Sequence, residues 1–370
     1  MSAKILVVDD EPGVQNAARR ILARNYEVNG ASSGQEALAR LGAEPHDLAI
    51  VDVRMPGMNG FELLKAIKAE HTDTEVIVMT GSISNPDEKL VEALRERAFY
   101  FIHKPFERAV LETLVARCLE RQRLERENRD YTAALEADLE QARSFQRLLL
   151  PKAFPRVPGL QGEVHFEPSE RLSGDFYDFY VLEAGQLGVL IADVAGHGVS
   201  AALYTGMVKS EMQAIPARAA SPGELFEQIN ESLRTAVRNR YVTALLVLVD
   251  PAARTLRYVS AGHLSFLTGD GREWESTGPP LGMLAGARYE VRTVPLAPAE
   301  RLLLYTDGLS EAMTEAGVQF GSERVRAAFA ASRALPPAAA VQAIVDAART
   351  FTGKPGFADD ASAIVLQLEP

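Results

Sequence analysis

From Glu107 to Leu150 the chain contains neither glycine nor proline. Leu111, Leu114, Val115, Cys118, Leu124, Tyr131, Leu135, Leu139 and Ala142 recur there at helical spacing, with dense charge between them. At about 1.5 Å per residue such a helix would run roughly 60 Å, well beyond the width of a small domain. It cannot bury its apolar stripe inside one globule, so the chain divides around it. A second copy forming a two-chain coiled coil is the natural partner, and we read this stretch as a homodimer linker. The competing arrangement is a single helix lying on its own domains. Arg121, Asn128 and Asp138 interrupt the stripe. Pro151, Pro155 and Pro158 end the helix. The expected organisation is a domain over residues 1–120, a helical linker over 121–150 and a second domain over 151–370.

Two domains need enough apolar material for two cores. At 47% hydrophobic and 24% charged, 370 residues supply it. The net charge of −11 disfavours a nucleic-acid-binding face, which needs clustered Lys and Arg, and disfavours attraction to an anionic membrane. Most of the excess acid serves solubility, and part is clustered as though to hold divalent cations. The single cysteine, Cys118, cannot form an internal disulfide and falls in a helical pattern, so it reads as packing. No run approaches the roughly 18 apolar residues of a membrane span, and the N-terminus enters a strand pattern without a signal segment. A cytoplasmic protein is expected.

In the first domain, short apolar runs at Lys4–Val8, Asp47–Val51, Glu75–Thr80 and Phe99–Ile102 read as buried strands. Helical patterns such as Gly13–Arg24, Gly60–Lys68 and Asp87–Arg95 lie between them. Alternation of this kind predicts a parallel sheet covered on both faces, with its ligand site beyond the carboxyl ends of the strands. Asp9 and Asp10 follow the first strand, Asp52 the third, Thr80 ends the fourth and Lys104 follows the fifth. All five are therefore expected on one rim. Three carboxylates there repel unless a cation intervenes, and an oxygen donor set with open positions suits Mg²⁺. One such lone Asp is ordinarily a turn residue; the five in order are what carry the reading.

Val8-Asp9-Asp10-Glu11, Val51-Asp52-Val53-Arg54-Met55-Pro56-Gly57, Thr80 and Lys104-Pro105 resemble the response-regulator receiver family over about the first 120 residues. The resemblance implies a flavodoxin-like α/β fold with a five-stranded parallel sheet. It implies phosphorylation at Asp52 by an upstream histidine kinase. Mg²⁺ would be held by Asp10, Asp52 and the Arg54 carbonyl, with Asp9 assisting. Thr80 and Lys104 would contact the phosphoryl group, and Tyr100 would be the aromatic switch. His103 reads as a surface residue.

The second domain is richer in strand and turn signals, with strand-like runs at Leu187–Asp193, Thr243–Asp250, Leu256–Ser260, Leu302–Asp307 and Ala361–Leu368, and helix-like runs at Ser200–Ile215 and Pro222–Arg238. Four acidic clusters occupy turns: Ser173-Gly174-Asp175-Phe176-Tyr177-Asp178, Asp193-Val194-Ala195-Gly196-His197-Gly198, Tyr305-Thr306-Asp307-Gly308-Leu309 and Asp359-Asp360-Ala361-Ser362. Asp193 and Asp307 end apolar runs and are followed closely by glycine, which lets backbone and ligand approach. Carboxylates converging without matching Lys or Arg need cations, and four or more suggest a two-metal site that aims a water at a phosphoryl group. No Gly-x-Ser-x-Gly elbow appears, and His197 and His263 lack zinc-ligand spacing, so Mg²⁺ or Mn²⁺ is favoured over zinc.

These clusters, with Gln146-Arg147-Leu148-Leu149-Leu150-Pro151, Ser260-Ala261-Gly262-His263, Gly278-Pro279-Pro280-Leu281-Gly282 and Phe320-Gly321, resemble the PPM metal-dependent serine/threonine phosphatases over roughly residues 144–370. The likeness is to the bacterial branch typified by stage II sporulation protein E, which acts on anti-sigma-factor antagonists. It implies an α+β fold, a β-sandwich flanked by helices. It also implies two Mn²⁺ or Mg²⁺ ions held by Asp193, the Val194 carbonyl, Asp307, Asp359 and Asp175, with Asp193, Asp307 and Asp359 as the catalytic carboxylates and Asp178 nearby. Two positions depart from the pattern: Ser173 replaces a glycine, and Ala195 stands where many relatives place a histidine. His197 and His263 read as structural. The implied function is a phosphorylation-controlled phosphatase acting on a phosphoserine or phosphothreonine protein in a partner-switching pathway. The alternative is a non-enzymatic adaptor with a phosphatase-like docking domain; it predicts lost metal ligands, and none is lost here. An output that makes a nucleotide second messenger has no supporting motif.

Overall fold

The computed structural model describes residues 2–81, 100–182, 185–196, 198–215, 221–236 and 240–369. The helix expected over Asp87–Arg95, and His197, lie outside the described residues. The chain divides into two compact units, Met1–Leu135 and Glu136–Pro370.

In the first unit, β1 (Lys4–Val8), β2 (Glu27–Ala31), β3 (Leu48–Asp52), β4 (Glu75–Thr80) and β5 (Tyr100–His103) form one parallel sheet in the order β2-β1-β3-β4-β5. Strand alternation divides its apolar residues between two cores. Leu6, Val8, Ala49, Val51, Val76 and Val78 pack on α2 (Gly34–Ala43) and α3 (Gly60–Glu70). Ile5, Val7, Leu48, Ile50, Ile77, Met79 and Ile102 pack on α1 (Pro12–Leu22) and on Leu111, Val115 and Cys118 of α4 (Arg108–Leu149). The parallel sheet is thus buried on both faces, as expected from the strand–helix alternation. Cys118 is one of these core residues, and burial pushes its thiol pKa up to about 12, which keeps it protonated and unreactive.

The long helix is anchored further along than its apolar residues suggest. The buried Gln122 amide donates to the Asp47 carbonyl at 2.9 Å and also to the Asp73 carbonyl. Arg126 pairs with Asp47 at 3.1 Å and Arg129 with Asp73 at 2.9 Å. These loops feed β3 and β4, the strands that carry Asp52 and Thr80. Farther on, Leu124, Tyr131, Leu135, Phe145 and Leu148 are exposed in the single chain.

The second unit has two antiparallel sheets. The strands are β6 (Leu160–Glu167), β7 (Asp175–Val181), β8 (Leu187–Val194), β9 (Val242–Asp250), β10 (Thr255–Ala261), β11 (Phe266–Thr268), β12 (Glu273–Trp274), β13 (Arg292–Pro295), β14 (Arg301–Tyr305) and β15 (Ala361–Leu368). One sheet has the order β13-β10-β9-β8-β7, the other β12-β11-β14-β15-β6. The helices are α5 (Gly198–Met212), α6 (Pro222–Ala236), the short α7 (Asp307–Ser310), α8 (Gly321–Ala331) and α9 (Pro337–Thr352). Strand β8 shows why its run is apolar throughout, although the sheet is antiparallel. Leu187, Val189 and Ile191 face Leu302, Leu304, Ile364 and Leu366 of the other sheet. Leu190, Ala192 and Val194 face Ala201, Val208, Phe226 and Ile229 of α5 and α6. Leu303, Tyr305, Ala363 and Val365 then meet α8 and α9 on the far side. The layers run helices, sheet, sheet, helices.

Strand β6 carries little of this apolar signature and β7 mixes aromatic residues with two carboxylates, so sequence patterning singles out neither. Both are edge strands: β6 is half-buried along most of its length, and β7 has carboxylates at Asp175 and Asp178. Among the described residues, no helix is long and apolar enough to cross a membrane.

Candidate active sites

The first unit brings its acidic residues to one rim, as the carboxyl-end rule predicts. Carboxylate oxygens of Asp9, Asp10 and Asp52 lie within 4.8 Å of one another. Asp9 and Asp52 are buried and Asp10 is exposed. Lys104 Nζ bridges Asp9 Oδ2 at 2.5 Å and Asp52 Oδ1 at 2.7 Å. Asp9 Oδ1 accepts the Glu11 N–H at 3.0 Å, and Asp52 Oδ2 accepts the Arg54 N–H at 3.1 Å. Burial raises the Asp9 pKa above its ordinary value, and its bonds to Lys104 and Glu11 oppose that rise. Burial also works against the Lys104 charge, but its bonds to Asp52 and Asp9 leave the ammonium pKa raised. One ammonium facing three carboxylates leaves net negative charge, so the donor set suits a hard divalent cation such as Mg²⁺.

Local structure holds this rim in place. The Gly60 position is so close to the Asp52 carbonyl that a Cβ would overlap it. Asn59 caps α3 in a reciprocal capping box with Glu62, which fixes the end of the loop after Asp52. Thr80 is buried at the end of β4, and its carbonyl accepts the Lys104 N–H at 2.8 Å. Tyr100 opens β5 and is exposed.

In the second unit the acidic residues gather at one end of the sandwich. Asp175 opens β7 directly opposite Asp193 near the end of β8. Asp307 starts α7 after β14, and Asp359 and Asp360 precede β15. Asp175 is buried and joins the two sheets: its Oδ2 accepts Thr306 Oγ1 at 2.7 Å and Ser362 Oγ at 2.6 Å. No Lys or Arg pairs with Asp175, Asp193, Asp307 or Asp359 among the described residues. The electrostatics follow from that. Burial, then the charge of Asp193, holds the Asp175 pKa well above the carboxylate range. Burial, then Asp307, Asp359 and Asp360, raises the Asp193 pKa to about 7. Burial, then Asp359 and Glu311, raises that of Asp307. Carboxylate oxygens gathered out of full solvent, whose mutual repulsion disfavours their charge, are the donor set that divalent cations neutralise. This fits Mg²⁺ or Mn²⁺.

Asp178 is not part of this group. It points to the helix side of β7, where Lys209 of α5 pairs with it at 3.1 Å. The Ser173 departure is also explained. It is the Gly174 position that admits no side chain, since a Cβ there would lie 2.8 Å from the Val194 carbonyl and 3.1 Å from Asp193 Oδ1. Ser173 has room, and its hydroxyl accepts the Asp175 N–H at 3.1 Å. Gln146, near the end of α4, receives the Ser173 N–H at 3.0 Å and donates to its carbonyl at 2.6 Å. His263 is buried with Nδ1 2.8 Å from Thr243 Oγ1, on the strand beside Asp193. Burial lowers its pKa to about 4, so it is a neutral structural group at pH 7.

Sequence reasoning passed over Asp360. Its Oδ2 accepts the Gly174 N–H at 2.7 Å, and its Oδ1 accepts Ser169 N–H at 2.7 Å and Ser169 Oγ at 3.0 Å. The Asp359-Asp360 doublet was the available signal: one of the pair is exposed to reach a ligand, and the other is buried as a brace. Asp360→Ala is expected to orphan the buried Gly174 N–H and the half-buried Ser169 N–H and to cost about 2–4 kcal/mol in urea denaturation. A loss well below 1 kcal/mol would remove the bracing role.

Comparisons with known proteins find matches for both units. The family described as stage II sporulation protein E (SpoIIE) matches residues 183–369, and the response regulator receiver domain matches residues 5–116. Phosphoserine phosphatase RsbP of Bacillus subtilis is 30% identical over 183 residues, covering 47% of this chain and 45% of that protein. Regulatory protein VanRB of Enterococcus faecalis is 36% identical over 112 residues, covering 30% of this chain and 50% of that protein. The chain therefore spans half or less of the length of these curated relatives. Among solved structures, the SiaA PP2C domain of Pseudomonas aeruginosa superposes with a TM-score of 0.58 at 25% identity, covering 65% of this chain and 99% of that one. The second unit thus has a PP2C-like fold, and the chain, which carries a response-regulator receiver domain at residues 5–116, belongs to the stage II sporulation protein E family.

Proposed function

We propose that this chain is a receiver-regulated, metal-dependent protein serine/threonine phosphatase. The observation that carries the reading is a set of mutually repelling carboxylates, Asp175 buried and Asp193 and Asp307 half-buried, with Asp359 beside them and, among the described residues, no Lys or Arg paired to any of them. Asp193, Asp307 and Asp359 would hold two Mn²⁺ or Mg²⁺ ions, with the Val194 carbonyl and Asp175 completing the set. Bound there, such ions supply charge stabilisation for a phosphoryl group and an acidified water. The chain's own contribution is position. Thr306 and Ser362 fix the Asp175 carboxylate, Asp360 ties Gly174 to the Ser169 turn, and the absent side chain at Gly174 keeps the Asp193 oxygen accessible. Asp359 is exposed, which suits a phosphoserine or phosphothreonine presented on the surface of a protein. RsbP is named as a phosphoserine phosphatase, and this supports the same reaction here. An anti-sigma-factor antagonist is the substrate class that the family membership favours.

In the receiver, Asp52 would accept a phosphoryl group from a histidine kinase, with Mg²⁺ on Asp10, Asp52 and the Arg54 carbonyl, and with Asp9 assisting. Thr80 and Lys104 would receive the phosphoryl oxygens, and Tyr100 would report the change. The exposed residues Leu124, Tyr131, Leu135 and Phe145 of α4 would pair two copies, so that the linker conveys the receiver's state. The test is phosphate release from a phosphoserine protein by the full chain, with Mn²⁺ or Mg²⁺, before and after acetyl phosphate treatment. Metal-dependent release that changes on treatment is expected. No release with either metal would leave a docking protein instead.

A further inference from the structure

Arg240 lies one residue before Tyr241 and β9, and its guanidinium makes two directed bonds. Nη1 donates to the Ala195 carbonyl at 2.7 Å, and Nη2 donates to the Ser200 hydroxyl at 2.8 Å. The group also lies over the Tyr204 ring, 5.7 Å from its centroid. Gly196, at a φ of +100°, is the residue against which it rests, and a Cβ there would collide with Nη1. The backbone repeats the connection: the Ala195 N–H donates to the Tyr241 carbonyl at 3.0 Å. No carboxylate among the described residues pairs with Arg240. Its cation is therefore engaged by a carbonyl, a hydroxyl and a ring, and all three belong to the turn after Asp193 or to the helix that follows.

We infer that Arg240 is a positioning residue that fastens the turn bearing Asp193 and the Val194 carbonyl to the start of α5, and so sets the metal affinity of the site. The inference rests on the metal-dependent reading given above. Arginine is the residue this task requires. A planar fork reaches two acceptors at once and stacks on an aromatic face, whereas a lysine ammonium is a point charge on a flexible stem. Without the fork, the Ala195 carbonyl keeps only backbone restraint, and the turn that carries two of the ligands loosens.

The experiment is a Mn²⁺ titration of the full chain, read by electron paramagnetic resonance of the free ion. All variants carry Asp10→Asn, so that the receiver's acidic trio is disabled. Arg240→Ala and Arg240→Lys are each expected to weaken binding about ten-fold or more, the usual effect of losing a partner that orients metal ligands. Ser200→Ala, which removes one of the two side-chain anchors, is expected to weaken it less. Thermal melting without metal confirms that each variant folds, and Arg240→Lys carries the test if Arg240→Ala does not fold. Binding by Arg240→Ala equal to that of the parent overturns the inference. So does full binding by Arg240→Lys, because a cation alone would then suffice. If the parent binds no more Mn²⁺ than its Asp193→Asn derivative, the metal-site reading itself falls and takes this inference with it.

Discussion

Asp193→Asn is expected to lower phosphoserine hydrolysis by about a thousand-fold or more and, at the same time, to stabilise the metal-free protein above neutral pH. The two effects have one cause. Asp193 sits among Asp307, Asp359 and Asp360, and burial together with these charges raises its pKa to about 7. In the unfolded chain it titrates near the ordinary value of about 4. Between those values the folded state holds a proton that the unfolded state has released. Folding stability from this group is therefore fully present below about pH 4 and is lost as pH rises toward 7. The loss is on the order of 4 kcal/mol at most, since about 1.4 kcal/mol accompanies each pKa unit. An amide at this position carries no charge and escapes that loss, but it cannot neutralise a metal. Thermal melting in chelator at pH 5 and pH 8 should show a fall for the parent and a flatter profile for Asp193→Asn. Added Mn²⁺ should restore the parent at pH 8 and leave the variant unmoved. A parent that melts identically at both pH values without metal would contradict the raised pKa.

Asp52→Asn is expected to abolish phosphoryl incorporation into the receiver, with at least a hundred-fold loss of label from acetyl phosphate. Asp52 is the carboxylate bridged to Asp9 through Lys104, with contacts of 2.7 and 2.5 Å. A phosphoryl group on Asp52 would add negative charge where Lys104 already stands, and would be expected to draw that ammonium from a carboxylate oxygen to a phosphoryl oxygen. Lys104→Ala should leave Asp9 and Asp52 as a buried pair without a cation, slow incorporation less than Asp52→Asn, and lower stability. Intact-protein mass spectrometry reads the label, and urea denaturation reads the stability. Full labelling of Asp52→Asn would move the acceptor to another residue. If labelling the parent left both its phosphatase rate and its oligomeric state unchanged, the receiver would have no control over the second unit.

Much of this was legible in the sequence because the decisive signals are local. An aspartate that ends an apolar strand must come to a sheet edge, so Asp52 and Asp193 declare themselves by position. A stretch from Glu107 to Leu150 without glycine or proline declares a helix. Strand β8 could be read as doubly buried, but its sequence alone does not say whether sheet or helix covers each face. Edge strand β6 had no such signal, because half-buried positions tolerate Gln, Glu and His as readily as apolar residues, and in β7 the carboxylates Asp175 and Asp178 interrupt the aromatic run.

What only the tertiary structure decided is which acids face each other. Asp175 and Asp178 are three residues apart on one strand, yet pleating sends the first to the acidic cluster and the second to Lys209. Asp359 and Asp360 are neighbours, yet one is exposed and the other braces Gly174 and Ser169. Gln122 and Gln146 look alike as polar helix residues, and both prove to be buried amides bonded to loops distant in sequence. The sequence determined the residue types, their spacing and the two-unit plan, since those rest on periodicity and turn chemistry. Partner choice rests on side-chain direction and on chain segments more than 100 residues apart in sequence, as between Asp175 and Thr306, and only folding brings those together.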